Sequence, residues 1–173
     1  MTTIISATNR KDSNTLHLAE YYTNQLLAKN VPANLLSLTE LPENLITSYM
    51  YSKPLDEFQK IQDVVTQTEK FIFIIPEYNG SFPGVLKLFI DVCKYPESFR
   101  DKKAALVGLS TGKYGNIRGV DHFTGVCHYI GLHVLPMRIH IPYIREEFNE
   151  NYSLYKEDTL RFTNEQIEKF IRF

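Results

Sequence analysis

Three stretches of this chain combine residue types and spacings suited to holding an anion and a flat polar ring. The first, Thr8-Asn9-Arg10-Lys11-Asp12-Ser13-Asn14-Thr15, places three hydroxyls and a guanidinium where a helix is about to start. The free N–H groups of a first helical turn attract an anion, and arginine adds a charge-assisted fork matched to phosphate. The second stretch, Pro76-Glu77-Tyr78-Asn79-Gly80-Ser81-Phe82-Pro83-Gly84, follows directly on the apolar run Phe71-Ile72-Phe73-Ile74-Ile75. A loop so rich in turn formers brings main-chain N–H and C=O groups close to a ligand. The third, Ser110-Thr111-Gly112-Lys113-Tyr114-Gly115, is again small and glycine-punctuated, and its main-chain donors suit the carbonyl-rich edge of a ring. Each has a plainer reading: capping by Ser13 or Asn14 with Arg10 solvated, an ordinary strand-to-helix connection, and a flexible turn.

The elements between these loops must bring them to one place, and the pattern alternates strand and helix. Residues 2 to 7 read as a strand, and residues 14 to 29 carry Leu16, Ala19, Thr23, Leu26 and Leu27 at helical spacing. Ala33 to Leu38 read as a second strand, and 39 to 54 as an irregular stretch. A helix with Phe58, Ile61, Val65 and Thr68 on one face leads into the buried strand 71 to 75. Helices are expected from Pro83 to about Tyr95 and from about 116 to 130. Between them runs the strand Lys103 to Leu109, and the last strand spans Leu132 to Ile141 with Pro136 as an interruption. The final helix is expected to start at a capping box, Thr163 with Gln166 three residues on. Residues 142 to 162 have no clear assignment.

Short strands separated by helices imply right-handed crossovers and a parallel sheet. The expected fold is a three-layer α/β/α sandwich with five parallel strands, in one domain from 1 to 173. In such sheets the loops after strands 1, 3 and 4 meet at one rim beside the topological switch point. Those are the three unusual loops. There is no GxGxxG and no GxxxxGK[ST], which argues against the usual dinucleotide and P-loop sites. A phosphate site at one end and two main-chain-rich loops beyond it describe a mononucleotide carrying a planar heterocycle, and FMN fits best.

The residues also carry a resemblance. Pro76 to Lys87, followed by Ile90-Asp91, closely resembles the signature of the NADPH-dependent FMN reductase family of flavodoxin-like proteins. The first loop is similar to that family's Gly-Ser-x-Arg-x-x-Ser phosphate loop, with Ala7 for the Gly, Thr8 for the Ser, and Arg10 and Ser13 matching. Ser110 and Gly112 look like its third flavin loop, though Lys113, Tyr114 and Asn116 stand where doubled glycines are often found. The similarity spans roughly residues 2 to 135. It implies strand order 2-1-3-4-5, bound FMN, and a homodimer or homotetramer with flavins at the interface. It also implies hydride transfer from NADPH or NADH to FMN and on to a small-molecule acceptor such as a quinone, azo dye, metal ion or free flavin. The candidate cofactor-binding residues are Thr8, Arg10, Ser13, Asn14, Thr15, Pro76, Glu77, Tyr78, Asn79, Gly80, Ser81, Ser110, Thr111, Gly112 and Gly115. No side chain is assigned a catalytic role, and no metal is expected. The alternative is a flavodoxin-like electron carrier without NAD(P)H turnover.

Composition narrows the remaining classes. Of 173 residues, 43% are apolar and 23% charged, with a net charge of −1, so neither nucleic acid nor an anionic membrane is an expected partner. Met1 to Ala7 has no basic n-region, and no apolar run reaches membrane-span length; the expected location is cytoplasmic. Cys93 and Cys127 form no CxxC pair and read as buried free thiols, too few for an iron–sulfur cluster. His17, His122, His128, His133 and His140 show no metal-like clustering. Tyr49, Met50 and Tyr51 read as packing residues, or as an aromatic wall near a partner's flavin.

Overall fold

The computed structural model describes residues 1 to 50 and 56 to 173, with no description of the side chains of residues 48 to 50. Its strands are β1 (Thr2–Ser6), β2 (Ala33–Ser37), β3 (Lys70–Pro76), β4 (Lys103–Leu109), β5 (His133–Val134) and β6 (Ile139–Ile141). The helices are α1 (Asn14–Ala28), α2 (Leu45–Met50), α3 (Asp56–Gln67), α4 (Gly84–Val92), α5 (Ile117–Tyr129) and α6 (Glu157–Arg172).

All strand pairings are parallel, in the order β2-β1-β3-β4-β5, and β6 also pairs with β4. β5 and β6 are two pieces of one strand position, because Pro136 has no N–H to give the ladder. The expected five strands in flavodoxin-like order are therefore present, with the fifth broken at Pro136. Alternation along β3 divides the interior: Phe71, Phe73 and Ile75 join one core, while Ile72 and Ile74 join the other. The first core packs residues of α3, α4 and α5, and the second those of α1 and α6. A strand buried on both faces needs no polar alternation, which is why β3 and β4 read as apolar runs.

Three expectations are corrected. The stretch after β2 is not wholly irregular: Leu38–Glu40 form a 3₁₀ turn closed by a capping box between Ser37 and Glu40, and α2 follows. Pro83 is the extended cap before α4, not its first helical residue, and that helix ends at Val92 instead of Tyr95. The final helix begins at Glu157, so Thr163 and Gln166 sit in its middle, both fully buried. Thr163 Oγ1 donates back to the Thr159 carbonyl at 2.7 Å. Gln166 Nε2 donates to the carbonyls of Leu106 at 3.1 Å and Met137 at 2.9 Å, while its Oε1 accepts from the Tyr22 phenol at 2.9 Å. Buried polar side chains need such partners, and Gln166 ties α6 to the sheet and to α1. Tyr51 lies outside the described residues, as do the side chains of Tyr49 and Met50. Among the described residues, no helix is long and apolar enough to cross a membrane.

Candidate functional site

The loops after β1, β3 and β4 meet at the C-terminal rim of the sheet and enclose a cleft. One part, of about 300 Å³, is lined by Arg10 to Thr15, Pro76 to Tyr78, Leu109 to Thr111, Ile144 and Arg145. A second part, of about 260 Å³, is lined by Glu77, Asn79, Gly80 and Ser110 to Tyr114. Glu77, Ser110 and Thr111 belong to both walls, so the two parts adjoin.

In the first loop, Ser13 caps α1, its Oγ accepting from Leu16 N–H at 3.2 Å. The main-chain N–H groups of Asn14 and Thr15 have no partner among the described residues, as expected of a first helical turn. The guanidinium of Arg10 lies 4.4 Å from the centre of the Tyr78 ring. That ring is fixed by a hydrogen bond of 2.5 Å between the Tyr78 phenol and Thr8 Oγ1. The second loop is a tight turn in which Tyr78 and Ser81 exchange main-chain hydrogen bonds. Asn79 and Gly80 take φ of 52° and 76°, a left-handed pair for which Asn-Gly is the favoured sequence. With Glu77 N–H donating to Leu109 O, the amides of the Tyr78–Ser81 turn left over among the described residues are those of Asn79 and Gly80. In the third loop Ser110 Oγ accepts from Gly115 N–H at 2.9 Å and donates to Gly112 O at 2.8 Å. The amides of Thr111, Gly112, Lys113 and Tyr114 remain without partners among the described residues.

Close packing fixes these loops against one another. Asn116, in left-handed conformation with φ of 60°, donates from Nδ2 to Ile75 O at 2.9 Å, joining the start of α5 to the end of β3. A Cβ on Gly119 would lie 2.1 Å from Asn116 Oδ1 and 2.6 Å from the main chain of Ser81. Position 119 therefore admits only glycine unless the second loop moves.

A match to the model of the NADPH-dependent FMN reductases covers residues 2–144. The chain belongs to this family. A 2-hydroxy-1,4-benzoquinone reductase of a Burkholderia species is 25% identical over 130 residues, 70% of this chain and 71% of that protein. An FMN-dependent NADPH-azoreductase of Staphylococcus aureus is 29% identical over 113 residues, 63% of this chain and 60% of that protein. Among solved structures, the flavoenzyme NAD(P)H:(acceptor) oxidoreductase of Paracoccus denitrificans superposes with a TM-score of 0.81. It is 22% identical, and the match covers 99% of this chain and 94% of that one; at that identity the likeness speaks for the fold. This reductase is thus an NAD(P)H-dependent flavoprotein oxidoreductase with FMN as cofactor.

The donor set of the cleft fits that cofactor. Unspent helix-start amides and Arg10 suit a phosphate, and unspent loop amides at the other end suit a ring edge bearing nitrogen and carbonyl acceptors. A Cβ on Gly112 would meet no atom within 4 Å, and that residue lines the cleft, so the loop is open at this position. Twelve of the candidate residues line the cleft, from Arg10 to Gly112. Thr8, Ser81 and Gly115 line neither part. Thr8 is buried behind Tyr78, Ser81 Oγ bonds to His122 Nδ1 at 3.0 Å, and Gly115 is packed beneath its loop against His140 and Ile141. They support the wall from behind. Arg145 and Ile144 line the cleft from the stretch without a clear assignment in the sequence, and Asn116, noted there only as a departure from doubled glycines, braces the wall through Ile75.

Burial governs three further titratable groups. Burial pushes the Cys93 thiol up to about 12 and that of Cys127 higher, so neither is a thiolate nucleophile at neutral pH. Burial pushes half-buried His140 down, against a smaller opposing hydrogen bond to the Gly115 main chain. Its Nδ1 has no partner among the described residues. No cluster of His, Cys, Asp or Glu suited to a metal occurs among the described residues.

Proposed function

We propose that the reductase binds FMN with its phosphate on Arg10, Ser13, Asn14 and Thr15 and its ring between the Glu77–Gly80 turn and the Ser110–Tyr114 loop. The acceptor class is a quinone or azo compound, with free flavin or a metal ion as further candidates. The observation that carries this reading is the two-part cleft with a shared wall, with unspent main-chain donors at both ends and cations at the end where an anion belongs. The chemistry that FMN supplies when bound is two-electron transfer between NAD(P)H and the acceptor. The protein's part is to bind and orient. The amides of Thr111 to Tyr114 are held by the Ser110 hydroxyl bonds and face developing negative charge with oriented dipoles. No side chain serves as an essential base. Donor and acceptor use the same cleft in turn, so ping-pong kinetics are expected.

The same reading makes the chain a single FMN-binding domain over residues 1 to 173, cytoplasmic, acting as a homodimer. A second copy of the chain is the occupant proposed for a groove of about 760 Å³ beside Tyr78. Its apolar lining includes Leu38, Leu41, Leu45, Val85 and Leu88. Support comes from continuity with the site, since Tyr78 and Lys11 line both groove and cleft. An anaerobic absorbance spectrum of the FMN-loaded protein, before and after NADPH and then NADH, tests the activity. Flavin bands that bleach within seconds are expected. Bands that persist with both nucleotides but bleach with dithionite would leave an electron carrier.

A further inference from the structure

FMN carries one phosphate, and the cations at that end of the cleft, Arg10, Lys11 and Arg145, already suffice for it. The opposite end carries two more. Lys113 lines the cleft beside Asn79 and Gly80, and Arg118 reaches the same turn from the first turn of α5. Its guanidinium atoms lie 3.7 to 3.9 Å from where a Cβ on Gly80 would stand. Lys113 Nζ is 4.9 Å, and the Arg118 guanidinium 5.9 Å, from the centre of the exposed Tyr114 ring. The π-system of the ring attracts each head without neutralising its charge.

Neither cation is within salt-bridge distance of a carboxylate among the described residues. The acid next along α5, Asp121, is taken by Arg138 at 3.1 Å. Glu77 lines the same part of the cleft without pairing to either. Two unneutralised cations beside the same turn and ring lower the cost of placing a multiply charged anion near them.

We propose that Lys113 and Arg118 form a second anion subsite, one that holds phosphate groups of the pyridine nucleotide. This rests on the reductase reading, in which nicotinamide must reach the ring end of the cleft. The nucleotide's pyrophosphate must then lie close by, and NADPH adds a 2′-phosphate. Both are phosphate esters, and the test separates them.

Binding of NADP⁺ and NAD⁺ to the FMN-loaded protein is measured by titration calorimetry, for the wild type, Arg118→Ala, Lys113→Ala, the double variant and Arg118→Lys. FMN affinity and elution volume are followed in parallel. The double variant is expected to bind NADP⁺ at least tenfold more weakly, with most of the loss recovered in Arg118→Lys. A loss confined to NADP⁺ assigns the subsite to the 2′-phosphate, and an equal loss for NAD⁺ assigns it to the pyrophosphate. Unchanged affinity for both nucleotides overturns the inference. So does a changed elution volume with affinity retained, which would make these cations a contact between copies. A wild-type protein that binds neither nucleotide, and whose flavin NADPH does not bleach, brings down the reductase reading itself and this subsite with it.

Discussion

The two rims of the sheet use their cations in opposite ways. At the N-terminal rim, Lys70 donates to the carbonyls of Phe170 and Ile171 at the end of α6. Lys102 donates to Val65 and Thr66 in the last turn of α3, both at 2.9 Å, and Lys103 reaches the main-chain oxygen of Phe173. The α-amino group of Met1 pairs with Glu69 at 2.6 Å. Each charge there is matched to a helix end or a carboxylate, as the helix dipole favours. Partial burial lowers the pKa of Lys70 and of Lys102. At the C-terminal rim, Arg10, Lys11, Lys113, Arg118 and Arg145 have no carboxylate partner among the described residues. Both rims carry comparable cations; what differs is whether the fold itself supplies the counter-charge. Charges matched within the chain satisfy its own helix ends, and the unmatched ones are left for the anion sites proposed above.

Variants can break that division, and the largest effect is expected where a loop would lose its shape. Gly119→Ala drives a Cβ into Asn116 and the Ser81 main chain. It should weaken FMN binding by about 3 kcal/mol, the upper end for overpacking. Flavin fluorescence titration reads this directly, and near-wild-type affinity would show that the two loops move freely. Arg10→Ala should cost FMN about 2 kcal/mol, the scale of a hydrogen bond to a charged group, with little change in the denaturation midpoint. Unchanged FMN affinity would remove Arg10 from the phosphate end. Lys102→Met should do the reverse, lowering unfolding free energy by about 1 kcal/mol and sparing FMN. Denaturant titration with and without FMN checks it; a selective loss of flavin affinity would erase the contrast between the rims.

The interior was the more legible part of the sequence. The runs Phe71–Ile75 and Lys103–Leu109 announce strands covered on both faces, and Pro136 marks the break in the outer strand. The start of α6 was hidden for a physical reason. Thr163 and Gln166, three residues apart, share one helix face wherever in the helix they fall, so spacing alone does not separate a cap from a buried polar pair. Lys156, which precedes the helix, makes no side-chain cap bond to reveal it. At the site, turn chemistry made the three loops visible, but Arg145 arrives from a segment with no periodicity. Asn116 matters through a hydrogen bond to Ile75, 41 residues away. Nor does the chain's local pattern tell a wall residue from one that braces it, so Thr8, Ser81 and Gly115 looked equivalent to their exposed neighbours.

The junction at Asn116 and Gly119 has a consequence for anyone redesigning this protein. The turn at Asn79-Gly80 and the loop at Ser110–Gly115 share one mould, with α5 cast against both. Replacing either from a relative while keeping the other joins surfaces shaped for different partners. Substitutions across the two loops should therefore be non-additive, and the segments 76–84 and 110–119 are best exchanged together, as a single cassette.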